Sequence, residues 1–179
     1  MQTEIIIAGF GGQGVLFAGT LLSQAALEEN KETTWFPSYG AEIRGGTANS
    51  TVIVSDEEIG SPIVTNPAVL IALNEMSFRK FFSKTKDGAT IIINSSLVKE
   101  KLHDEYEKIV FIPATEIADK ELKDVRVANI VAIGAYIKAS GIVSLESAKK
   151  ACEIVLADKP KMIALNQKAL ETGYNYKGN

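Results

Sequence analysis

Residues 4–29 read EIIIAGFGGQGVLFAGTLLSQAALEE, and the order of residue types within them decides the fold. Ile5, Ile6 and Ile7, extended by Ala8, form an unbroken β-branched run of the kind that suits a strand buried on both faces of a parallel sheet. Four glycines in six positions follow, Gly9 to Gly14, which allow a tight turn and a close approach of the backbone to whatever lies beside it. From Gln13 to about Glu29, apolar side chains at Val15, Leu16, Ala18, Leu21, Leu22, Ala25 and Ala26 recur at helical spacing, with Asn30 as the stop. The stretch is therefore strand, glycine turn, helix.

Outward from this unit the pattern repeats. TTWF at 33–36 predicts a second strand ending at Pro37, and TANSTVIVS at 47–55 a third. AVLIAL at 68–73 and ATIIIN at 89–94 predict buried strands separated by a helix through EMSFRKFFSK, and KIVFIPA at 108–114 predicts one more strand. From about residue 114 the chain turns helical: ATEIADKEL, then VANIVAIGAYIKAS ending at Gly141, then SLESAKKACEIVLAD with Ser144 as N-cap. Pro160 admits a last helix through KMIALNQKALETG, and the tail YNYKGN is expected to be exposed or held by a partner. Strands interleaved with helices predict a single Rossmann-like α/β domain over residues 1–179, a three-layer α/β/α sandwich around a mostly parallel, mixed sheet.

Composition narrows the function. Nineteen basic and twenty-two acidic side chains leave a formal charge of -3 with no long basic stripe, which argues against nucleic acid and against an anionic membrane surface. The start carries Glu4 where a signal peptide would carry positive charge, and no apolar run is long enough to span a bilayer, so a cytoplasmic protein is expected. One cysteine, Cys152, and one histidine, His103, are too few for an internal disulfide, a zinc site or an iron-sulfur cluster. Cys152 keeps helical spacing with Ala148 and Leu156 and is expected to pack, while His103 in KEKLHDEYEK is expected on a solvated helix face.

Two stretches carry chemistry. Gly9, Gly11 and Gly14 have the spacing of a dinucleotide-binding turn, but the second strand ends TTWFPS without the carboxylate that would hold a ribose. No Lys and Ser or Thr follow Gly14, so a Walker phosphate loop is excluded as well. Two readings remain open: an anion or cofactor edge at the helix start, aided by the Gln13 amide, or glycines that only let the helix pack on the sheet. The second stretch, FPSYGAEIRGGTANSTVIVSD at 36–56, places Ser38, Tyr39, Glu42 and Arg44 on a connection beyond a strand end. Arg44, followed by Gly45 and Gly46, has little steric cover and suits a phosphate or carboxylate; pairing with Glu42 is the competing reading.

At these residues the sequence resembles the gamma subunit, or gamma domain, of the 2-oxoacid:ferredoxin oxidoreductases. GFGGQGV and PSYGAEIRGGTANSTVIVSD, in this order, are similar to that family's two signature segments, and SPIVTNPAVLIALNEMSFRKF, VANIVAIGAYI and NQKALETG continue the likeness over most of the chain. The form most similar is the separate gamma subunit of the 2-oxoglutarate or related enzymes. The resemblance implies oxidative decarboxylation of a 2-oxoacid with coenzyme A, giving an acyl-CoA, carbon dioxide and reduced ferredoxin. It also implies thiamine diphosphate, magnesium and iron-sulfur clusters in partner subunits, alpha, beta and delta. For this chain it implies no catalytic residue, and a set composed of Gly11, Gly12, Gln13, Gly14, Ser38, Tyr39, Arg44 and Gly45 that either lines the coenzyme A approach or is buried against the alpha subunit. A stand-alone NAD(P)-dependent oxidoreductase and a non-catalytic nucleotide-binding scaffold are the competing function classes.

Overall fold

The computed structural model describes residues 1–39, 47–100 and 108–178. Six strands form one mixed sheet: β1 (Gln2–Phe10), β2 (Glu32–Tyr39), β3 (Thr47–Ser55), β4 (Val69–Ala72), β5 (Thr90–Asn94) and β6 (Ile109–Ile112), in the order β2-β3-β1-β4-β5-β6. β1, β4, β5 and β6 run parallel, as their continuous apolar sequences require, and only β3 is antiparallel to its neighbours β1 and β2. Among the described residues the α-helices are α1 (Val15–Leu27), α2 (Glu75–Phe82), α3 (Ala114–Lys120), α4 (Ala128–Ser140), α5 (Leu145–Val155) and α6 (Ile163–Tyr174).

The period of two along β1 divides the core. Ile5 and Ile7 face a large cluster supplied by α1, α3, α4, α5 and α6, whereas Ile6 and Ala8 face a smaller one closed by Phe78 and Phe81 of α2. Three layers result, as expected, but unequal ones. α4 is buried almost all round because α1, α3, α6 and the sheet surround it, and its contact with α6 is a close one: a Cβ on Gly173 would stand 1.9 Å from the Val131 carbonyl oxygen.

Apart from the helix expected through KEKLHDEYEK, of which residues 101–107 lie outside the described residues, the expected elements are present, with two differences. β2 continues through Pro37 to Tyr39, which its place at the edge of the sheet, with β3 as its one neighbour among the described strands, allows for a residue that lacks an N–H. The terminal tyrosines are not loose: Tyr174 belongs to α6, and it and Tyr176 pack against the large core cluster. α1 ends at Leu27 with Glu28 as its C-cap, just short of the expected Glu29, and Asn30 in the turn beyond takes φ 57°; the Ser144 side chain accepts the Ser147 N–H as an N-cap should. Cys152 is buried in the core, and burial pushes its thiol up to about 12. His103 lies outside the described residues.

Candidate functional site

The parallel strands end on one edge of the sheet, and there the chain puts carboxamides. Asn74 and Asn94 come directly after the apolar runs of β4 and β5, and Gln13 closes the turn after β1. Gln13 Nε2 donates to the Leu73 carbonyl (3.2 Å), while its Oε1 accepts from Phe10 N (3.0 Å) and Asn74 Nδ2 (2.7 Å). Asn94 Nδ2 donates to the same Leu73 carbonyl (3.1 Å) and to Thr115 Oγ1 (2.8 Å) at the start of α3. Asn74 caps α2 through Ser77 N (2.9 Å), and Ser77 Oγ donates to the Gly9 carbonyl (3.0 Å). Neutral amides satisfy these strand ends and helix starts without burying charge, which a low-dielectric edge would penalise.

Across this edge α4 begins. Asn129 in its first turn is only 2% exposed and donates Nδ2 to the Gly14 carbonyl (2.8 Å), so the starts of α1 and α4 are bonded to each other. Both helices run thirteen residues, and their positive dipole ends converge here. Between them and the strand ends lies a cleft of about 350 Å³, walled by the apolar Phe10, Leu73, Leu97, Val125 and Ala128 and by the polar Gly12, Gln13, Asn94, Thr115 and Asn129. Among the described residues its one charged wall residue is Arg126. The guanidinium is gripped by Asp124, Nε to Oδ1 at 2.8 Å and Nη2 to Oδ2 at 2.6 Å, and the hydrogen bond holds the Asp124 carboxyl below the usual carboxylate range.

The sequence-predicted residues divide. Gly12 and Gln13 line the cleft; Gly11 is exposed on the same turn, with open space where a Cβ would stand; Gly14 sits beneath Asn129. Ser38 and the backbone of Tyr39 reach the far end of β2, two strands from β1, and are not in the cleft wall. Arg44 and Gly45 lie outside the described residues. Sequence reasoning missed Asn74, Asn94, Thr115, Arg126 and Asn129. The signal for three of them was an asparagine set against apolar neighbours: VLIALN, TIIIN and VANIVAIG.

Among the described residues no cluster of three or more His, Cys, Asp or Glu could hold a metal ion, and no helix is long and apolar enough to cross a membrane.

Residues 4–176 match the pyruvate ferredoxin/flavodoxin oxidoreductase family. The chain is 40% identical over 174 residues to the ketoisovalerate oxidoreductase subunit VorA of Methanothermobacter thermautotrophicus, covering 96% of this chain but spanning only 36% of that relative. It is 40% identical over 163 residues to the 2-oxoglutarate synthase subunit KorC of Methanocaldococcus jannaschii, covering 90% of this chain and 86% of the other. Among solved structures, the keto/oxoacid ferredoxin oxidoreductase gamma subunit of Geobacter sulfurreducens superposes with a TM-score of 0.82 at 33% identity, over 96% of both chains. The 2-oxoglutarate:ferredoxin oxidoreductase of Magnetococcus marinus, with 2-oxoglutarate, coenzyme A and succinyl-CoA bound, superposes with a TM-score of 0.83 at 26% identity, over 97% of this chain and 30% of the other. With the glycine turn, both core clusters and all of the sheet beyond Thr3 inside the matched span, the chain belongs to the pyruvate ferredoxin/flavodoxin oxidoreductase family, as its gamma-type component.

Proposed function

We propose that this chain is one component of a multi-subunit enzyme that oxidatively decarboxylates a 2-oxoacid, 2-oxoglutarate, with coenzyme A to give the acyl-CoA, carbon dioxide and reduced ferredoxin. The 2-oxoglutarate assignment follows KorC, which the chain matches over most of both lengths, whereas VorA contains the likeness as about a third of a longer polypeptide. Thiamine diphosphate with its magnesium and the iron-sulfur clusters fall to the alpha, beta and delta partners. The donor set here does not fit the clusters, since its single thiol is buried and kept protonated at neutral pH.

This chain's own share is to wall the coenzyme A approach. The observation that carries this reading is the cleft on which two long helix starts converge. Its apolar wall suits the uncharged pantetheine arm, and the two positive dipole ends suit phosphate. Ser38, Tyr39, Arg44 and Gly45 join this proposed set on the strength of the family likeness of residues 36–56. A second reading, burial of this edge against the alpha subunit, is favoured by the Gln13 amide, whose oxygen is already spent on two internal bonds, and by the exposed Phe10, Met76 and Val125 at this edge. Arg44→Ala in the reconstituted complex separates them. The ligand role predicts a rise in KM for coenzyme A of about tenfold with assembly intact; an assembled variant with unchanged coenzyme A kinetics removes Arg44 from the site.

A further inference from the structure

Among the described residues, the guanidinium in the cleft wall is that of Arg126. It sits in the 3₁₀ turn Val125–Val127 that leads into α4, with its side chain 72% exposed. Its partner Asp124 is 16% exposed, and its Oδ1 also accepts the Arg126 backbone N–H at 3.0 Å. The carboxylate is thus fixed to the backbone of the residue whose guanidinium it grips, a clamp of four hydrogen bonds that settles the direction of the arginine before any ligand arrives. The clamp occupies Nε and Nη2; Nη1 has no hydrogen-bond partner among the described residues. A surface ion pair held only for stability would contribute little. A pre-oriented fork beside two convergent helix starts lowers the entropy cost of binding an anion instead.

We propose that Arg126 binds a phosphate group of coenzyme A at the mouth of the cleft, with Asp124 as its positioning residue. The assignment rests on the coenzyme A reading above. The exposed guanidinium takes the charged end of the cofactor, and Phe10, Leu73, Leu97 and Val125 cover the neutral arm. The shared chemistry is phosphate; the 3′-phosphate and the diphosphate are the two sources.

The test uses the complex reconstituted from this chain and its partner subunits, with steady-state kinetics in coenzyme A and in dephospho-coenzyme A. Arg126→Gln should raise KM for coenzyme A about tenfold or more and leave kcat at saturation within about twofold, and Arg126→Lys should recover part of the loss. Asp124→Asn should raise KM less than Arg126→Gln. If the contact is to the 3′-phosphate, Arg126→Gln leaves KM for dephospho-coenzyme A unchanged; if it is to the diphosphate, both rise. An unchanged KM for coenzyme A, or a lower complex yield with KM unchanged, overturns the proposal. Leu97→Trp, which fills the cleft, distinguishes the two levels: if it raises KM while Arg126→Gln does not, Arg126 alone is misassigned. If neither moves KM, the coenzyme A reading falls with it.

Discussion

Gly14 joins the two helix starts, and its backbone explains why no other residue fits. Its φ is 68°, in the left-handed region, and a Cβ built there would stand 2.6 Å from Asn129 Nδ2, the group that donates to its own carbonyl. Gly14→Ala therefore combines backbone strain with a clash against a buried amide, and should destabilise the fold by about 1–3 kcal/mol in urea unfolding. In the background of Asn129→Ala the clash disappears while the strain stays. The two substitutions should then be less than additive, a coupling that a double-mutant cycle measures directly. An additive pair would mean that the two residues do not press on each other.

At the scale of elements, the packing of α5 on α1 depends on a carboxylate. Glu29, just beyond α1, accepts the Ser144 backbone N–H at 2.6 Å where α5 begins, and pairs with Lys31 at 3.3 Å. Burial pushes the Glu29 carboxyl up, but hydrogen bonds from Ser144, Ser147 and Lys31 outweigh it and leave the group below its ordinary value of 4.5. A carboxylate depressed in the folded state stabilises the fold fully above the unfolded value and loses that contribution as pH falls through the folded one. The urea midpoint should thus fall as pH drops below about 4.5, and Glu29→Gln should lower the midpoint at neutral pH while making its acid slope shallower. Glu28 and Asp124, also held low by their cationic partners, leave a residual slope in that variant. An acid slope identical in wild type and variant would show that the tether carries no proton linkage.

The whole molecule reads as an incomplete enzyme. Its convergent edge holds amides, a clamped guanidinium and an apolar wall, and among the described residues the wall of this cleft joins no nucleophile to a base. Assayed alone, the chain should therefore show no 2-oxoacid-dependent dye reduction, and activity should appear when the partner subunits are added; turnover by the isolated chain would refute the assignment. Much of this organisation was legible locally. The strands and helices of the described residues follow from apolar runs, helical spacing, Pro and Gly stops and the Ser144 cap, all of which act within a few residues. The strand order did not, because pairing β1 with both β3 and β4 depends on which distant segments bury the two faces of Ile5 to Ala8. The same holds for the cleft: Gln13 meets Asn74 across 61 positions and Gly14 meets Asn129 across 115. By itself the sequence determined the elements, the glycine turn and the family likeness, since these are written in short-range pattern. Only the tertiary structure decided that the asparagines after β4, at the end of β5 and in α4 and the arginine before α4 would share one edge, because that juxtaposition is created by the packing of helices on the sheet.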